Sequence, residues 1–363
     1  MAANASIKTP DMIWWDTAPG PALFVRETAD TLSGGKSVCL CTRNALPWRE
    51  IFFQRVTDAV REIESSLLFE EADSDAEDPA RYLINHFRLD AAFRPTKKPV
   101  DFLRERRVLA NRVIRVTAEG DQARRWFEFI KAYKSSSVQG GLFLMETHAA
   151  PPARVSKDIR FLDYDDFVSD YDALVFAGLL TDNSLSVEQK RYVSTMAVSL
   201  LGADAESIAD FAENYRFDQD DPEKCFVAHD SSELSRRVWN AQVQTLFPLI
   251  MREYRALVDD WRAPIEEAIA YVSDAFPDGL VDTNHDQIQT PDEMELATMH
   301  YLMRNRRRDA IGYDTDDYML YIPDEQARLH LKLLYNMRNQ IAHGKVCPVG
   351  DVVQLLMRSD EAL

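Results

Sequence analysis

The chain lacks the cysteine patterns of metal and redox sites. It contains four cysteines in 363 residues: Cys39 and Cys41 alternate within an apolar run, while Cys225 and Cys347 stand alone. No pair has the C-x-x-C spacing of zinc sites or of thioredoxin-like motifs. We therefore expect no metal and no other cofactor, and we interpret Cys39 and Cys41 as buried strand residues, since free cysteine behaves as a small apolar side chain.

Long apolar runs are also missing. No uncharged apolar stretch approaches the length that spans a bilayer. Residues 1–10 do not show the basic region followed by an apolar run that is typical of a secretory signal. We therefore expect a cytoplasmic protein without a membrane partner.

Basic residues are too few to balance the acidic ones. The 42 lysines and arginines face 60 aspartates and glutamates, and the net charge is −18. A field of that sign repels nucleic acid, which excludes a general DNA-coating protein and requires a local basic patch for any nucleic-acid contact. Two patches are candidates, and the favoured interpretation of each is a solvated helix face that balances nearby acids. The first comprises Arg104, Arg106, Arg107, Arg112 and Arg115, and the second Arg304, Arg306, Arg307 and Arg308.

The first half of the chain alternates between strand and helix patterns. Short apolar or β-branched runs predict strands at 37–42, 112–117 and 141–145, with a further edge strand at 159–162. Amphipathic stretches predict helices at 22–32, 48–68 and 121–133. Strands separated by helices indicate an α/β domain, residues 1–178, in which a parallel or mixed sheet is flanked by helices.

From residue 186 onward the pattern is helical. Predicted helices occupy 186–201, 205–215, 231–260, 264–276, 291–306, 323–343 and 350–358. A polar stretch, 277–289, predicts a linker, and the acidic, tyrosine-rich stretch 309–323 predicts a loop. We therefore divide this all-α region into a middle domain, 179–276, and a C-terminal helical domain, 277–363.

The sequence Gly34-Gly35-Lys36-Ser37 is not a phosphate-binding loop. The glycine that such a loop needs five residues before its Gly-Lys-Ser is Asp30 here. The order of elements is also reversed, because a predicted helix precedes Gly34 and a predicted strand follows. The architecture resembles P-loop-type or Rossmann-like folds only in outline, so we interpret the domain as a degenerate, nucleotide-binding-like one. Arg43, at the carboxyl end of the first strand, offers a cation there but no glycine amides accompany it.

A cluster of acids after the edge strand resembles a cation site only in composition. It comprises Asp163, Asp165, Asp166, Asp170 and Asp172. The glycine and the closing glutamate of an EF-hand loop are absent. We interpret these residues as solvated acids that cap a following helix.

One C-terminal stretch combines a permanent cation, an amide and an imidazole. The helix predicted at 323–343 carries Arg338, Asn339 and His343 near its end, and Gly344 is suited to follow a helix C-terminus. Arginine holds phosphate at any working pH, and histidine exchanges protons near neutrality. Asn339 and His343 share a face, whereas an ideal helix places Arg338 about 140° from His343. Arg338 and His343 therefore converge on one phosphate only if the helix ends near Ala342 or if two chains meet.

This motif resembles the signature of the HEPN superfamily: an Arg-Asn pair, three residues and a histidine at the end of an apolar helix. The resemblance covers the chain from about residue 291 and implies a small helical bundle, often paired as a homodimer. It further implies metal-independent endoribonuclease activity of the kind found in toxin, CRISPR and phage-defence systems. Arg338 and His343 would be the catalytic pair, and Asn339 the polar residue that follows the arginine.

Several hypotheses follow from these patterns. The first is an RNA-cleaving homodimer of HEPN type in phage defence or a toxin-like system, with the α/β region sensing or regulating, and with a possible protein partner or inhibitor. The second is a non-catalytic HEPN-like adaptor or dimerisation subunit of a prokaryotic defence complex. A nucleotide-binding regulator is disfavoured by the missing phosphate loop. In a purely structural alternative, Arg338 pairs with an acid such as Asp351, Asn339 caps locally and His343 only ends the helix.

Overall fold

A computed structural model describes residues 8–73, 76–133, 140–148, 157–225, 231–276, 278–282, 284–309 and 311–361. The chain forms two compact units. The first comprises Met1–Leu180 and Gly202–Asp210, and the second comprises Thr181–Leu201 and Phe211–Leu363. The predicted boundary between a middle and a C-terminal helical domain at residue 276 stays a prediction.

A five-stranded parallel sheet organises the first unit. Its strands are β1 (Ser37–Cys41), β2 (Leu68–Ala72), β3 (Arg112–Thr117), β4 (Leu142–Thr147) and β5 (Ile159–Asp163). Their order across the sheet is β2-β3-β4-β1-β5, and every pairing is parallel. All residues of β1 and β4 are buried, as expected for central strands covered on both faces. The predicted α/β architecture is confirmed, and its sheet is parallel.

In the part of this unit that the structure describes, eight helices accompany the sheet. They are α1 (Pro10–Asp16), α2 (Pro19–Ser33), α3 (Arg49–Ile63), α4 (Pro79–His86), α5 (Pro99–Glu105), α6 (Gly120–Tyr133), α7 (Tyr164–Phe167) and α8 (Asp170–Leu180). Cys39 and Cys41 project into an apolar cluster with Trp126 and Phe129 of α6. An aromatic group that includes Trp15, Phe24 and Phe52 joins α1, α2 and α3. The interpretation of the two cysteines as buried strand residues is confirmed.

The predicted helix 48–68 is present as α3, but its predicted end is wrong, because Leu68 belongs to the edge strand β2. Helix α3 ends at Ile63, and the chain re-enters the sheet at Leu68. Two of the five residues of β2 are glutamates, so the strand has no apolar run. Its glutamates instead form ion pairs with the neighbouring strand, Glu70 with Arg112 and Glu71 with Arg115. Opposite charges across two strands stabilise an edge whose outer face is solvated.

The second unit is mostly helical. Its helices are α9 (Val187–Leu201), α11 (Ser231–Asp260), α12 (Arg262–Ala275), α13 (Leu296–Arg304), α14 (Glu325–Ala342) and α15 (Val349–Glu361), while α10 (Ala205–Asn214) begins in the first unit. Helix α11 packs against α9 and α14, and α13 and α15 also pack against α14. Among the described residues, no helix is long and apolar enough to cross a bilayer.

Two predictions for the segment between α12 and α14 are wrong. The predicted helix 291–306 is a 3-10 turn, Pro291–Glu293, followed by α13, because Thr290 and Glu293 cap each other and Met294 is extended. The predicted loop 309–323 contains a strand: β6 (Arg306–Arg308) pairs antiparallel with β7 (Asp314–Tyr318). The predicted linker 277–289 contains an isolated bridge between Val281 and Gln287, and its residues 277 and 283 lie outside the described residues.

Candidate functional site at the end of helix α14

Helix α14 carries the motif and has well-formed caps at both ends. The Asp324 carboxylate accepts hydrogen bonds from the backbone N–H groups of Gln326 and Ala327, at 2.8 and 3.3 Å. At the other end, the Lys345 N–H donates to the Gln340 carbonyl at 2.9 Å and the Gly344 N–H to Ile341 at 3.1 Å. This pair of bonds, with Gly344 at φ 71°, is a Schellman motif. The predicted role of Gly344 is confirmed.

Two side chains of α11 hold this helix end in place. The Trp239 indole N–H donates to the Ile341 carbonyl at 2.9 Å. The Gln242 amide forms two bonds with Cys347: the Cys347 N–H donates to Oε1 at 2.7 Å, and Nε2 donates to the Cys347 carbonyl at 3.2 Å. These bonds satisfy backbone groups that a helix end leaves unpaired. The residues on either side of His343 are therefore anchored to a neighbouring helix.

The three motif residues lie at the surface of this anchored end. Arg338 and His343 are exposed, and Asn339 is half-buried. Arg338 Nη1 donates to Asn339 Oδ1 at 3.1 Å, so the guanidinium is turned toward the residue that shares a helix face with His343. Since α14 ends at Ala342 and His343 is its C-cap, the first of the two geometric conditions for convergence is met.

Arg338 and Asp351 do not form the ion pair of the structural alternative. No carboxylate among the described residues lies within ion-pair distance of Arg338. Burial raises the pKa of Asp351, whereas a neighbouring guanidinium would lower it. Arg338 therefore keeps its positive charge available to an incoming anion.

Helix α13 lies against α14 one turn before the motif. The buried His300 ring stacks on Tyr335 with centroids 4.0 Å apart. Burial lowers the pKa of His300, and the charges of Arg304 and Lys332 lower it further. Burial and two neighbouring cations thus favour the neutral form of His300. Glu293, on the preceding turn, accepts hydrogen bonds from the backbone of Gln289 and Thr290 and serves as a cap.

The first unit has a second polar cluster, which sequence analysis missed apart from Arg43. It lies at the carboxyl ends of β1 and β4, where the chain leaves adjacent strands in opposite directions, the usual ligand position in open α/β sheets. The buried Glu146 pairs with Arg49 of α3 at 2.7 Å and lies 3.3 Å from the Thr117 hydroxyl. The signal in the sequence was a glutamate within an otherwise apolar strand.

The remaining groups of this cluster bind one another. His148 Nδ1 lies 2.9 Å from both the hydroxyl and the carbonyl oxygen of Thr42. Arg43 pairs with Asp165 at 2.9 Å. Its cations are therefore matched by acids. The predicted absence of a phosphate-binding loop at Gly34-Gly35-Lys36-Ser37 is also consistent with the structure. Gly35, with φ 80°, follows the end of helix α2, and strand β1 begins at Ser37.

The prediction of solvated, helix-capping acids after β5 holds only in part, because Asp163 caps the following helix α7 whereas Asp172 is buried. The Asp163 carboxylate accepts from the Asp165 N–H, and Asp172 accepts from the Gly20 N–H at 2.7 Å and from Ser169. Within the described ranges, no group of three or more His, Cys, Asp or Glu side chains could hold a metal ion. No family model matches the chain, and no curated protein matches it.

Proposed function

We propose that this chain is a metal-independent endoribonuclease of HEPN type, active as a homodimer in phage defence or a toxin-like system. The observation that carries the proposal is the helix end itself. Arg338, Asn339 and His343 lie at the surface of an anchored helix terminus, and the guanidinium has no carboxylate partner among the described residues. In this proposal the second unit contains the HEPN-like bundle, and the α/β unit senses or regulates.

The chemistry uses the substrate's own nucleophile. His343 accepts the proton of a ribose 2′-hydroxyl as that oxygen attacks the adjacent phosphorus, or protonates the 5′-oxygen that leaves. The bond from phosphorus to the 5′-oxygen breaks, and the products are a 2′,3′-cyclic phosphate and a 5′-hydroxyl end. Arg338 stabilises the negative charge that develops on the phosphate oxygens. Asn339 orients the guanidinium through its 3.1 Å hydrogen bond.

The test is cleavage of mixed RNA in EDTA by the wild type, Arg338→Ala and His343→Ala. We expect the wild type to produce 5′-hydroxyl ends, each variant to lose activity about 100-fold or more, and DNA to stay intact. Arg236→Ala is the matched control, because Arg236 is an exposed arginine of the same unit paired with Glu233. RNA left intact by folded wild type, or cut by both variants as fast as by the wild type, overturns the proposal. In that case dimerisation without cleavage, measured by light scattering, favours the adaptor function.

A further inference from the structure

A cavity of about 550 Å³ opens beside the N-terminal half of α14. Its walls come from three elements of the second unit: the end of α13, the end of β7 with the segment after it, and the exposed side of α14. Arg328 of α14 donates to the carbonyls of Ile322 and Pro323, which fixes the segment between β7 and the helix. We call this cavity the basic groove.

Two cations of the basic groove are not neutralised. Arg304 and Lys332 line it, and no carboxylate among the described residues lies within ion-pair distance of either. The neighbouring arginines differ, since Arg306 pairs with Asp316 and Arg307 with Glu267. Both free cations also lower the pKa of the adjacent His300, after the larger effect of burial. The charged side chains of the lining are three cations, Arg304, Arg328 and Lys332, and one acid, Glu325, so their net charge is positive and suits an anion.

Aromatic rings stand next to these cations. Tyr321 is 61% exposed and Tyr318 is 39% exposed, and both line the groove. The Arg306 guanidinium lies over the Tyr318 ring at 5.4 Å. No ring or guanidinium of the described residues stacks on Tyr321. An exposed aromatic face beside free cations is the combination that binds single-stranded nucleic acid, because every base has a face to stack and every nucleotide a phosphate.

A second cavity, of about 530 Å³, shares Tyr318, Tyr321 and Pro323 with the basic groove. Its charged side chains are three acids, Glu267, Asp316 and Asp317, and one cation, Arg307, which pairs with Glu267. A phosphate backbone is repelled there and attracted to the basic groove. Two cavities that share these residues thus differ in the sign of their charged lining.

The lining of the basic groove ends at Lys332, and from there one face of α14 leads toward the motif. At about 100° per residue, Lys332, Asn336, Asn339 and His343 fall within about 60° of one another on the helix surface. The distance along the axis from Lys332 to His343 is about 16 Å, which is roughly five nucleotides at a stacked rise of 3.4 Å and fewer for an extended strand.

We propose that the basic groove binds single-stranded RNA, with phosphates on Arg304 and Lys332 and a base stacked on Tyr321, and leads the strand along α14 to His343. The proposal rests on the ribonuclease function for the identity of its ligand. It explains how a chain of net charge −18 would hold RNA: one local patch attracts the strand, while the neighbouring Arg306 and Arg307 are matched by acids.

The test measures binding separately from cleavage. The full chain is titrated against a fluorescein-labelled 12-nucleotide 2′-O-methyl RNA, which lacks the 2′-hydroxyl nucleophile, and affinity is followed by anisotropy over a range of salt concentrations. The variants are Tyr321→Ala and the double variant Arg304→Ala with Lys332→Ala. Tyr313→Ala and Arg308→Ala are the matched controls, since Tyr313 is 71% exposed, Arg308 is exposed, and both lie outside the groove lining.

We expect Tyr321→Ala to weaken binding about 5- to 100-fold. The double variant should weaken binding and lower the slope of log K against log salt by about 1.4, because each single-strand phosphate contact contributes about 0.7. Controls should stay within about twofold of the wild type, and a duplex of equal length should bind less tightly.

Three results would overturn the proposal that the groove binds RNA. The groove variants bind RNA like the wild type, or the control variants weaken binding as much as the groove variants do. The third is a polyglutamate competitor that binds through the same two cations with the affinity of the RNA. The two proposals also fail separately. Binding through Arg304, Lys332 and Tyr321 without any RNA cleavage overturns only the nuclease. Cleavage with binding unchanged in these variants overturns only the groove.

Discussion

Gln242 is the side chain through which we can test most directly how the motif end of α14 is held. It lies on α11 at 1% exposure, and its amide accepts from the Cys347 N–H at 2.7 Å and donates to the Cys347 carbonyl at 3.2 Å. The change Gln242→Leu keeps the approximate size of the side chain and removes both bonds. Cys347 is itself buried, so water does not replace the lost partner.

The expected loss follows from these two groups. A buried polar group left without a partner costs about 1–3 kcal/mol, and partial relaxation lowers the sum for two groups on one residue. We therefore expect Gln242→Leu to lower the free energy of unfolding of the second unit by about 2–4 kcal/mol. With an m-value of about 2 kcal/mol per molar urea, the midpoint falls by about 1–2 M.

Urea unfolding followed by circular dichroism measures this shift, and hydrogen exchange at the Cys347 amide locates it. Gln244→Leu is the matched control, because Gln244 is an exposed glutamine on the same helix and its change should stay within about 0.5 kcal/mol. The reasoning is refuted if both variants unfold at the wild-type midpoint, or if exchange at Cys347 is unchanged in Gln242→Leu.

Two further predictions concern single residues. Gly20→Ala should lower the free energy of unfolding by about 1–3 kcal/mol, because the new Cβ would collide with the Phe167 carbonyl. Gly350→Ala in α15 meets open space and should raise the free energy of unfolding by up to about 1 kcal/mol. Melting-temperature shifts of the same sign in the two variants would contradict this prediction. Burial alone would raise the pKa of Asp172, but hydrogen bonds from Ser169 and the Gly20 N–H hold it below its usual value. Its carboxylate thus stabilises the fold above about pH 4 and less as pH falls, so the stability difference between wild type and Asp172→Asn should shrink on acidification, and a constant difference would refute it.

Apolar periodicity predicted most of the α/β unit, and it failed where charge pairing replaces apolar contact. Strands β1 and β4 are buried throughout and β3 and β5 are buried in part, and each was expected close to its observed position. Strand β2 and the β6–β7 hairpin were missed because their residues pair through charge, as Arg308 does with Asp314 at 3.6 Å. Apolar alternation does not indicate strands that are held by ion pairs with a neighbouring strand.

The ends of α14 were predictable, and the surroundings of the motif were not. Asp324 and Gly344 act locally, so their positions in the sequence are enough to place the caps. Trp239 is 102 residues away from the carbonyl that it binds, and only the packing of α11 on α14 brings the two together. Arg304 was grouped with the three arginines that follow it. The change from helix to strand after Arg304 separates it from them and leaves it in the groove.

Mixing two inactive variants decides whether the proposed dimer shares its catalytic sites between the two chains. The Arg338 side chain hydrogen-bonds Asn339, although an ideal helix places Arg338 about 140° from His343. Two arrangements of the catalytic pair are therefore compared. In one, a single chain supplies both Arg338 and His343, and in the other each chain supplies one of them. In a symmetric dimer with shared sites, a heterodimer of Arg338→Ala and His343→Ala keeps one intact Arg338–His343 pair of two. Equal mixing after refolding makes about half of the dimers mixed, so about a quarter of the wild-type RNA cleavage should return. If each site belongs to a single chain, no activity returns, and the shared site is then excluded while the nuclease is not.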